Sequence, residues 1–169
     1  MEGYSAEQAS RVTGADYHNI LYWLRSGLIQ ASYSPQRQPK PRHPIRFSFT
    51  DLLEIGIIQE LRERGAPVQR VRKALNYLKS LSPVYTSLFH PRARLSKELR
   101  HKAVYLDVSG DDIRVYHSDT EVVAAVMQRG QKVIHLLIID VKRVREELRM
   151  QLGHSEEPEE VTAAQAAMR

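Results

Sequence analysis

Two short amphipathic segments lie only two residues apart near the N-terminus of the chain. In the first, the Ser-x-x-Gln spacing of a capping box predicts a helix over Ala6–Thr13 that stops at Gly14. In the second, Asp16 is a suitable N-cap, and apolar residues recur at helical spacing until Gly27. A Gly-Ala link of this length sets two helices at a steep angle to each other.

The outward face of the second segment carries aromatic and hydrogen-bonding groups, whereas a solvated helix face usually carries Glu and Lys in ion pairs. A helix-turn-helix explains this composition, because its second helix enters the major groove, where Asn and His can bind base edges. A buried helix with incidental polar caps is the alternative. The residues of this motif that we expect to contact DNA are Thr13, Tyr17, His18, Asn19, Tyr22 and Arg25.

A basic, proline-rich stretch follows. The whole formal excess of +5 lies within the first 80 residues, and no carboxylate occurs between Asp16 and Asp51. Four prolines in residues 30–44 exclude a helix or a central strand, whereas Ile45–Phe49 alternates as a short strand would. The pattern predicts a wing whose charges lie along DNA phosphates, where they release counterions. A linker with incidental charge is the alternative. The wing residues concerned are Arg37, Lys40, Arg42 and Arg46.

Two further helices are predicted after the wing. Thr50 is the expected cap of a third helix over Asp51–Arg64, and Gly65 ends it. Pro67 then suits the first turn of a fourth helix, because a missing N–H costs nothing there. We interpret the apolar stripe of this fourth helix as core and its basic residues as mostly solvated. The stripe consists of Val68, Val71, Leu75 and Leu78.

From about Tyr4 to Leu81 the chain resembles MerR-type winged helix-turn-helix regulators, through "ILYWLRSGLI" and "RFSFTDLLEIGIIQELRERGAPVQRVRKAL". Within that family it is similar to actinobacterial-style regulators whose recognition helix has a Tyr-Trp pair followed by Arg and "GL". The resemblance implies a bacterial homodimer that binds double-stranded DNA at a near-palindromic promoter site, with RNA polymerase as a further candidate partner. The chain departs from the family pattern at His18, where Arg is frequent, and at Arg46, which directly precedes the strand aromatic.

Several functional classes are excluded by composition. The chain has no cysteine, which rules out disulfides and thiolate sites for metals or oxidants. Its seven histidines lack the spacing of metal ligands, so we expect neither a metal nor a cofactor. No Gly-rich phosphate loop or nucleophile elbow is present, and we do not expect an enzyme. Without a signal segment or an apolar run of membrane-spanning length, the expected location is the cytoplasm, in association with the nucleoid.

The second half predicts a small α+β domain. "KAVYLDVSGDDIRVYH" has the pattern of a β-hairpin, and a helix that begins after Ser118 ends at Gly130. The nearly continuous apolar run "KVIHLLIID" predicts a strand covered on both faces, after which Asp140 caps a last helix through Leu152. The Gly130-Gln131 step resembles the C-terminal domain of the same group of regulators.

The expected fold is therefore mainly α with an α+β part: a winged helix-turn-helix at 1–82, a small α+β domain at 83–152 and a disordered tail at 153–169. A domain of this size buries little apolar surface. Longer members of the family that the chain resembles continue into a dimerising helix, whereas Pro83 follows the fourth helix of this chain. We therefore predict that the apolar third strand forms a dimer interface. A self-contained core is the alternative. The residues expected at the interface are Val133, His135, Leu137 and Ile139.

A second class of function fits the same pattern. A winged helix can also serve as a module that recruits proteins, as an antitoxin-like or recombination-directing factor does. A neighbouring toxin or integrase gene would favour this alternative over a transcription regulator.

Overall fold

The computed structural model describes five parts of the chain, namely residues 3–33, 45–80, 104–109, 112–128 and 138–153. These parts form six helices and one three-stranded sheet, which confirms the predicted fold class. The helices are α1 (Ala6–Thr13), α2 (Tyr17–Arg25), α3 (Phe49–Glu63), α4 (Val68–Ser80), α5 (Asp119–Gln128) and α6 (Val141–Gln151). The strands are β1 (Tyr105–Asp107), β2 (Arg114–Tyr116) and β3 (Ile138–Asp140).

The predicted pair of N-terminal helices is confirmed, with its ends set by local hydrogen bonds. At the start of α1, Ser5 Oγ accepts from the Gln8 N–H at 3.2 Å, and Gln8 Oε1 accepts from the Ser5 N–H at 2.8 Å. Gly14 ends α1 with a φ of 71°, a left-handed conformation that favours glycine. Asp16 Oδ1 then accepts from two N–H groups in the first turn of α2, at 2.8 and 3.2 Å.

Helix α3 begins two residues earlier than the sequence suggested. Ser48 is its N-cap: Ser48 Oγ accepts from the Asp51 N–H at 3.1 Å, and Asp51 Oδ2 accepts from the Ser48 N–H at 2.7 Å. The prediction of Thr50 as the cap was wrong, because Ser48 has an acidic residue three positions later and so completes a capping box.

The predicted strand over residues 45–49 is reduced to one β-bridge. Phe47 and Tyr4 exchange two backbone hydrogen bonds of 2.8 Å each, and the chain enters α3 two residues after Phe47. The Tyr33 N–H donates to the carbonyl of Arg46 at 3.2 Å. This bond joins the two ends of the predicted wing, whose tip (residues 34–44) lies outside the described residues.

Helix α3 lies at the centre of the core and packs against α1, α4 and α6. At the contact with α6, a Cβ added to Gly56 would lie only 3.0 Å from Cγ1 of Val144, so the two helix backbones approach closely. Buried apolar residues of both predicted halves belong to one hydrophobic cluster, and burial of such surface dominates stability. The boundary predicted at residue 82 lies outside the described residues and stays a prediction.

The second half forms an antiparallel sheet in the order β2-β1-β3, in which Leu106 pairs with Val115 and with Ile139. The predicted hairpin and last helix are confirmed, and Asp140 Oδ1 caps α6 by accepting from the Arg143 N–H at 3.1 Å. Of the predicted third strand, only its last three residues are described.

One of the four predicted dimer-interface residues is described. Ile139 is 1% exposed and packs inside the core of its own chain. Its side chain packs within its own chain, where β3 contacts α3, and a role of this residue at a dimer interface stays a prediction. Val133, His135 and Leu137 lie outside the described residues.

Candidate nucleic-acid interface

Helix α2 has one buried side and one exposed side. Ile20 and Trp23 are buried, at 0% and 3% exposure, and they fix the helix on the core. On the opposite side, four side chains point to solvent, and within the described residues none of the four makes a hydrogen bond. These exposed side chains, which we call the α2 row, are His18, Asn19, Tyr22 and Arg25.

Two other predicted contacts have roles within the protein. Thr13 Oγ1 donates to the carbonyl of Ala9 at 2.7 Å and accepts from the Ala15 N–H at 3.3 Å, so this hydroxyl closes the turn between α1 and α2. Tyr17 is half-buried against the core, and its ring meets that of His18 edge-on, with centroids 5.6 Å apart. The structure thus places these two residues beside the α2 row, where they shape the turn and orient His18.

The wing residues are only partly described. Arg46 is half-buried, and its Nη1 donates to the carbonyl of Gly3 at 3.3 Å, which directs the guanidinium toward the N-terminal segment. Arg37, Lys40 and Arg42 lie outside the described residues. The structure therefore brings the α2 row together and fixes the base of the wing beside α3.

The basic residues of α4 are mostly exposed, as predicted, but most of them also have partners within the protein. Arg70 Nη1 donates to the carbonyl of Ser109 at 3.4 Å, and Lys79 Nζ lies 2.9 Å from Glu54 Oε1. Burial raises the pKa of the Glu54 carboxyl, and the hydrogen bond and charge of Lys79 oppose this shift. Three of the four basic residues of α4 thus have partners in the described part of the chain, the third being Arg72.

Arg72 contacts the end of α2, which the sequence did not reveal. Its Nη1 donates to the carbonyl of Gly27 at 3.0 Å, and its Nη2 donates to the carbonyl of Ser26 at 3.3 Å. Only a general rule pointed to such a contact: the last carbonyls of a helix lack partners within the helix and favour a nearby cation. A pattern of residues alone does not show which cation approaches them.

The α2 row offers groups for two kinds of contact with a duplex, namely contacts with base edges and contacts with phosphates. An Asn amide can form two hydrogen bonds with adenine, and an imidazole N–H can donate to guanine or to phosphate. Tyr22 and Arg25 add an aromatic hydroxyl and a permanent positive charge on the same side of the helix. This set offers donors, acceptors and charge of the kind that base edges and phosphates bind.

Within the described ranges, no three or more His, Asp or Glu side chains form a group that could hold a metal ion. The helices of these ranges also lack the combination of length and apolar character that a membrane span requires.

Comparisons with known proteins agree with this geometry. Residues 4–78 match the family model described as MerR HTH family regulatory protein. Over 77 residues the chain is 26% identical to the HTH-type transcriptional regulators Rv1830 of Mycobacterium tuberculosis and Mb1861 of Mycobacterium bovis. The matched stretch covers 46% of this chain and 33% of each relative, so the chain spans about a third of the length of these curated relatives.

Proposed function

We propose that this protein is a transcription regulator that binds specific double-stranded DNA sites, since residues 4–78 match the family model of MerR HTH regulatory proteins. The observation that carries the proposal is the α2 row, which is exposed while Ile20 and Trp23 hold the opposite side of the same helix in the core. A recognition helix needs this division, since its buried side fixes its position while its outer side enters the major groove.

The residues of the α2 row have different roles in this proposal. Asn19 and His18 lie in the first turn of α2, the part of a recognition helix that contacts base edges, and they read sequence. Tyr22 lies one turn later and contacts a base edge or the adjacent sugar. Arg25, in the last turn, binds phosphate and positions the helix without reading sequence.

The wing supplies the second group of contacts. Arg37, Lys40 and Arg42 lie along the phosphate backbone in this proposal and add affinity that does not depend on sequence. The hydrogen bond between Tyr33 and Arg46 supports it, because the bond joins the two ends of the loop that carries these residues.

Two substitutions test sequence reading. We expect Asn19→Ala and Tyr22→Ala each to weaken binding to the preferred duplex by about 1–3 kcal/mol, while binding to a scrambled duplex stays nearly unchanged. The preferred duplex is selected from random sequences by the wild-type protein, and affinities are measured by fluorescence anisotropy at fixed salt. Tyr17→Ala is a less selective variant, because Tyr17 packs against the core.

Met150→Ala is the matched control for this experiment, because Met150 is 64% exposed on α6 and lies outside the α2 row. It should bind both duplexes as the wild type does. If Asn19→Ala weakened binding to both duplexes equally, the α2 row would position the helix without reading bases.

We further propose that the protein acts as a homodimer at a near-palindromic promoter site, in the cytoplasm and in association with the nucleoid, with RNA polymerase as a neighbour. Two recognition helices related by a two-fold axis would meet successive major grooves about 34 Å apart. The interface in this proposal is formed by Val133, His135 and Leu137, in the apolar run that precedes β3, and it omits Ile139, which is buried in its own chain.

The interface is tested in the full-length protein. Leu137→Glu should convert the dimer to monomers, since an interface would bury an unpaired carboxylate, and it should weaken binding to the palindromic duplex. Size-exclusion chromatography with light scattering gives the mass. Val123→Glu is the comparison variant, because Val123 is 51% exposed on α5. If Val123→Glu produced monomers and Leu137→Glu did not, the dimer interface would lie on α5.

A further inference from the structure

We propose that Arg72 is a positioning residue for DNA binding, which holds the C-terminal end of the recognition helix α2 on α4. This inference rests on the proposed function, since it concerns how α2 is presented to a duplex. The guanidinium reaches across from α4 and donates to two successive backbone carbonyls, those of Gly27 at 3.0 Å and Ser26 at 3.3 Å.

These two carbonyls are suited to a guanidinium. Ser26 is the C-cap of α2, so its carbonyl lies at the negative end of the helix macrodipole, and Gly27 follows directly with a φ of 66°. The planar fork of an arginine presents several N–H donors in fixed directions, whereas a lysine ammonium is a single charge on a flexible stem. The contact therefore fixes direction as well as distance.

Packing around this contact is incomplete. A cavity of about 150 Å³ lies between the segment that follows α2 and the outer face of α4, and its lining includes Gln30, Arg72 and Asn76. Lys79 also lines the cavity, but its ammonium is paired with Glu54 at 2.9 Å. Leu28 and Leu75 also line the cavity and are buried, so the two hydrogen bonds of Arg72 add a polar connection to the apolar packing between α4 and the segment that follows α2.

A displacement of the C-terminal end of α2 would also displace the side chains of the α2 row. Ile20 and Trp23 hold the middle of the helix, and Leu28 and Ile29 are buried just after its end. Removal of the Arg72 side chain would therefore let α2 tilt only slightly about its buried residues. Binding groups must be held within about 0.5 Å of their productive positions, and a tilted helix would misplace Asn19 and Tyr22 together. Specific binding should fall, whereas interactions that only neutralise phosphate should persist.

The test compares Arg72→Gln with Lys73→Gln, which removes the same charge from the next, exposed residue of α4. We expect Arg72→Gln to weaken binding to the preferred duplex about tenfold, an effect of ordinary size for the removal of hydrogen bonds. Affinity for a scrambled duplex and the slope of log affinity against log salt should stay at wild-type values. Arg72→Lys, which keeps the charge but lacks the fork, should recover only part of the specific affinity.

The salt slope separates positioning from direct phosphate binding. A triple variant in which Arg37, Lys40 and Arg42 become glutamine sets the scale, since each phosphate that is no longer neutralised should change the slope by about 0.9. If Arg72→Gln changed the slope by about 0.9 and weakened binding to both duplexes equally, Arg72 would bind phosphate directly. Wild-type affinity in Arg72→Gln would also overturn the proposal.

Amide hydrogen exchange distinguishes failure of this inference from failure of the proposed function. If the wild-type protein selected no duplex at all, the proposed function would be wrong. The anchor itself would still be measurable, because Arg72→Gln should speed exchange at the amides of the last turn of α2 and Lys73→Gln should not. Equal exchange in the two variants would show that Arg72 does not hold α2.

Discussion

Replacing Trp23 with alanine is expected to lower the free energy of unfolding by about 3–5 kcal/mol, whereas replacing its neighbour Tyr22 should change it by less than about 0.5 kcal/mol. The two aromatic residues are adjacent in α2, but Trp23 is 3% exposed and Tyr22 is 59% exposed. Truncation of Trp23 removes a large apolar group from the core and leaves a cavity, while truncation of Tyr22 removes atoms that already face water.

Urea denaturation followed by far-ultraviolet circular dichroism measures both variants with one signal. This choice matters because Trp23 is the only tryptophan, and its fluorescence is absent from the variant. Tyr22→Ala should unfold at the same urea concentration as the wild type but lose specific DNA affinity. Trp23→Ala should lose binding to every duplex, because its folded fraction falls. If Tyr22→Ala were as unstable as Trp23→Ala, the proposed DNA-binding face would instead be part of the packed core.

The elements that the sequence predicted well are those decided by neighbouring residues. The starts of α1 and α2 depend on side chains within three residues of the groups they bind, so the sequence pattern predicts them. The start of α3 was misassigned because Ser48 and Thr50 are both good caps. Asp51 favours Ser48, and it is itself held by two hydrogen bonds from Ser32, which lies 19 residues away in sequence.

The α2 row was predicted for a similar reason, since a period of 3.6 residues separates the two sides of a helix. The pattern did not distinguish Thr13 and Tyr17 from the α2 row, because residue spacing does not show whether a hydroxyl or a ring already has a contact within the protein. Arg72 was missed because its acceptors are 45 and 46 residues away and belong to the backbone. Residue type carries no information about such a contact.

The sequence of α3 contains an indication that the two halves of the chain associate. Helix α3 has apolar residues on every side, and a helix that is apolar all around is buried on every side. Helices α1 and α4 cover only part of that surface, so a third partner was required. The structure supplies it as α6, which belongs to the second half of the chain.

Replacing Gly56 with larger residues tests the packing of α6 on α3 through the free energy of unfolding. We expect Gly56→Leu to lower the free energy of unfolding by about 3 kcal/mol, the upper part of the range for an overfilled core. The first added carbon would already lie 3.0 Å from Val144 Cγ1 and 3.6 Å from Leu148 Cδ1. Gly56→Ala should be close to neutral, because the tight contact is offset by about 1 kcal/mol of helix propensity.

A second substitution makes the reason for the destabilisation explicit. Val144→Ala removes the methyl groups that the new side chain would strike, so combining it with Gly56→Leu should cost less than the sum of the two single changes. Denaturation of the wild type, the two single variants and the double variant in urea gives this coupling energy. If Gly56→Leu were as stable as the wild type and the coupling were zero, α6 would not lie on α3 in solution. The two halves would then pack as separate units, as their sequence alone had suggested.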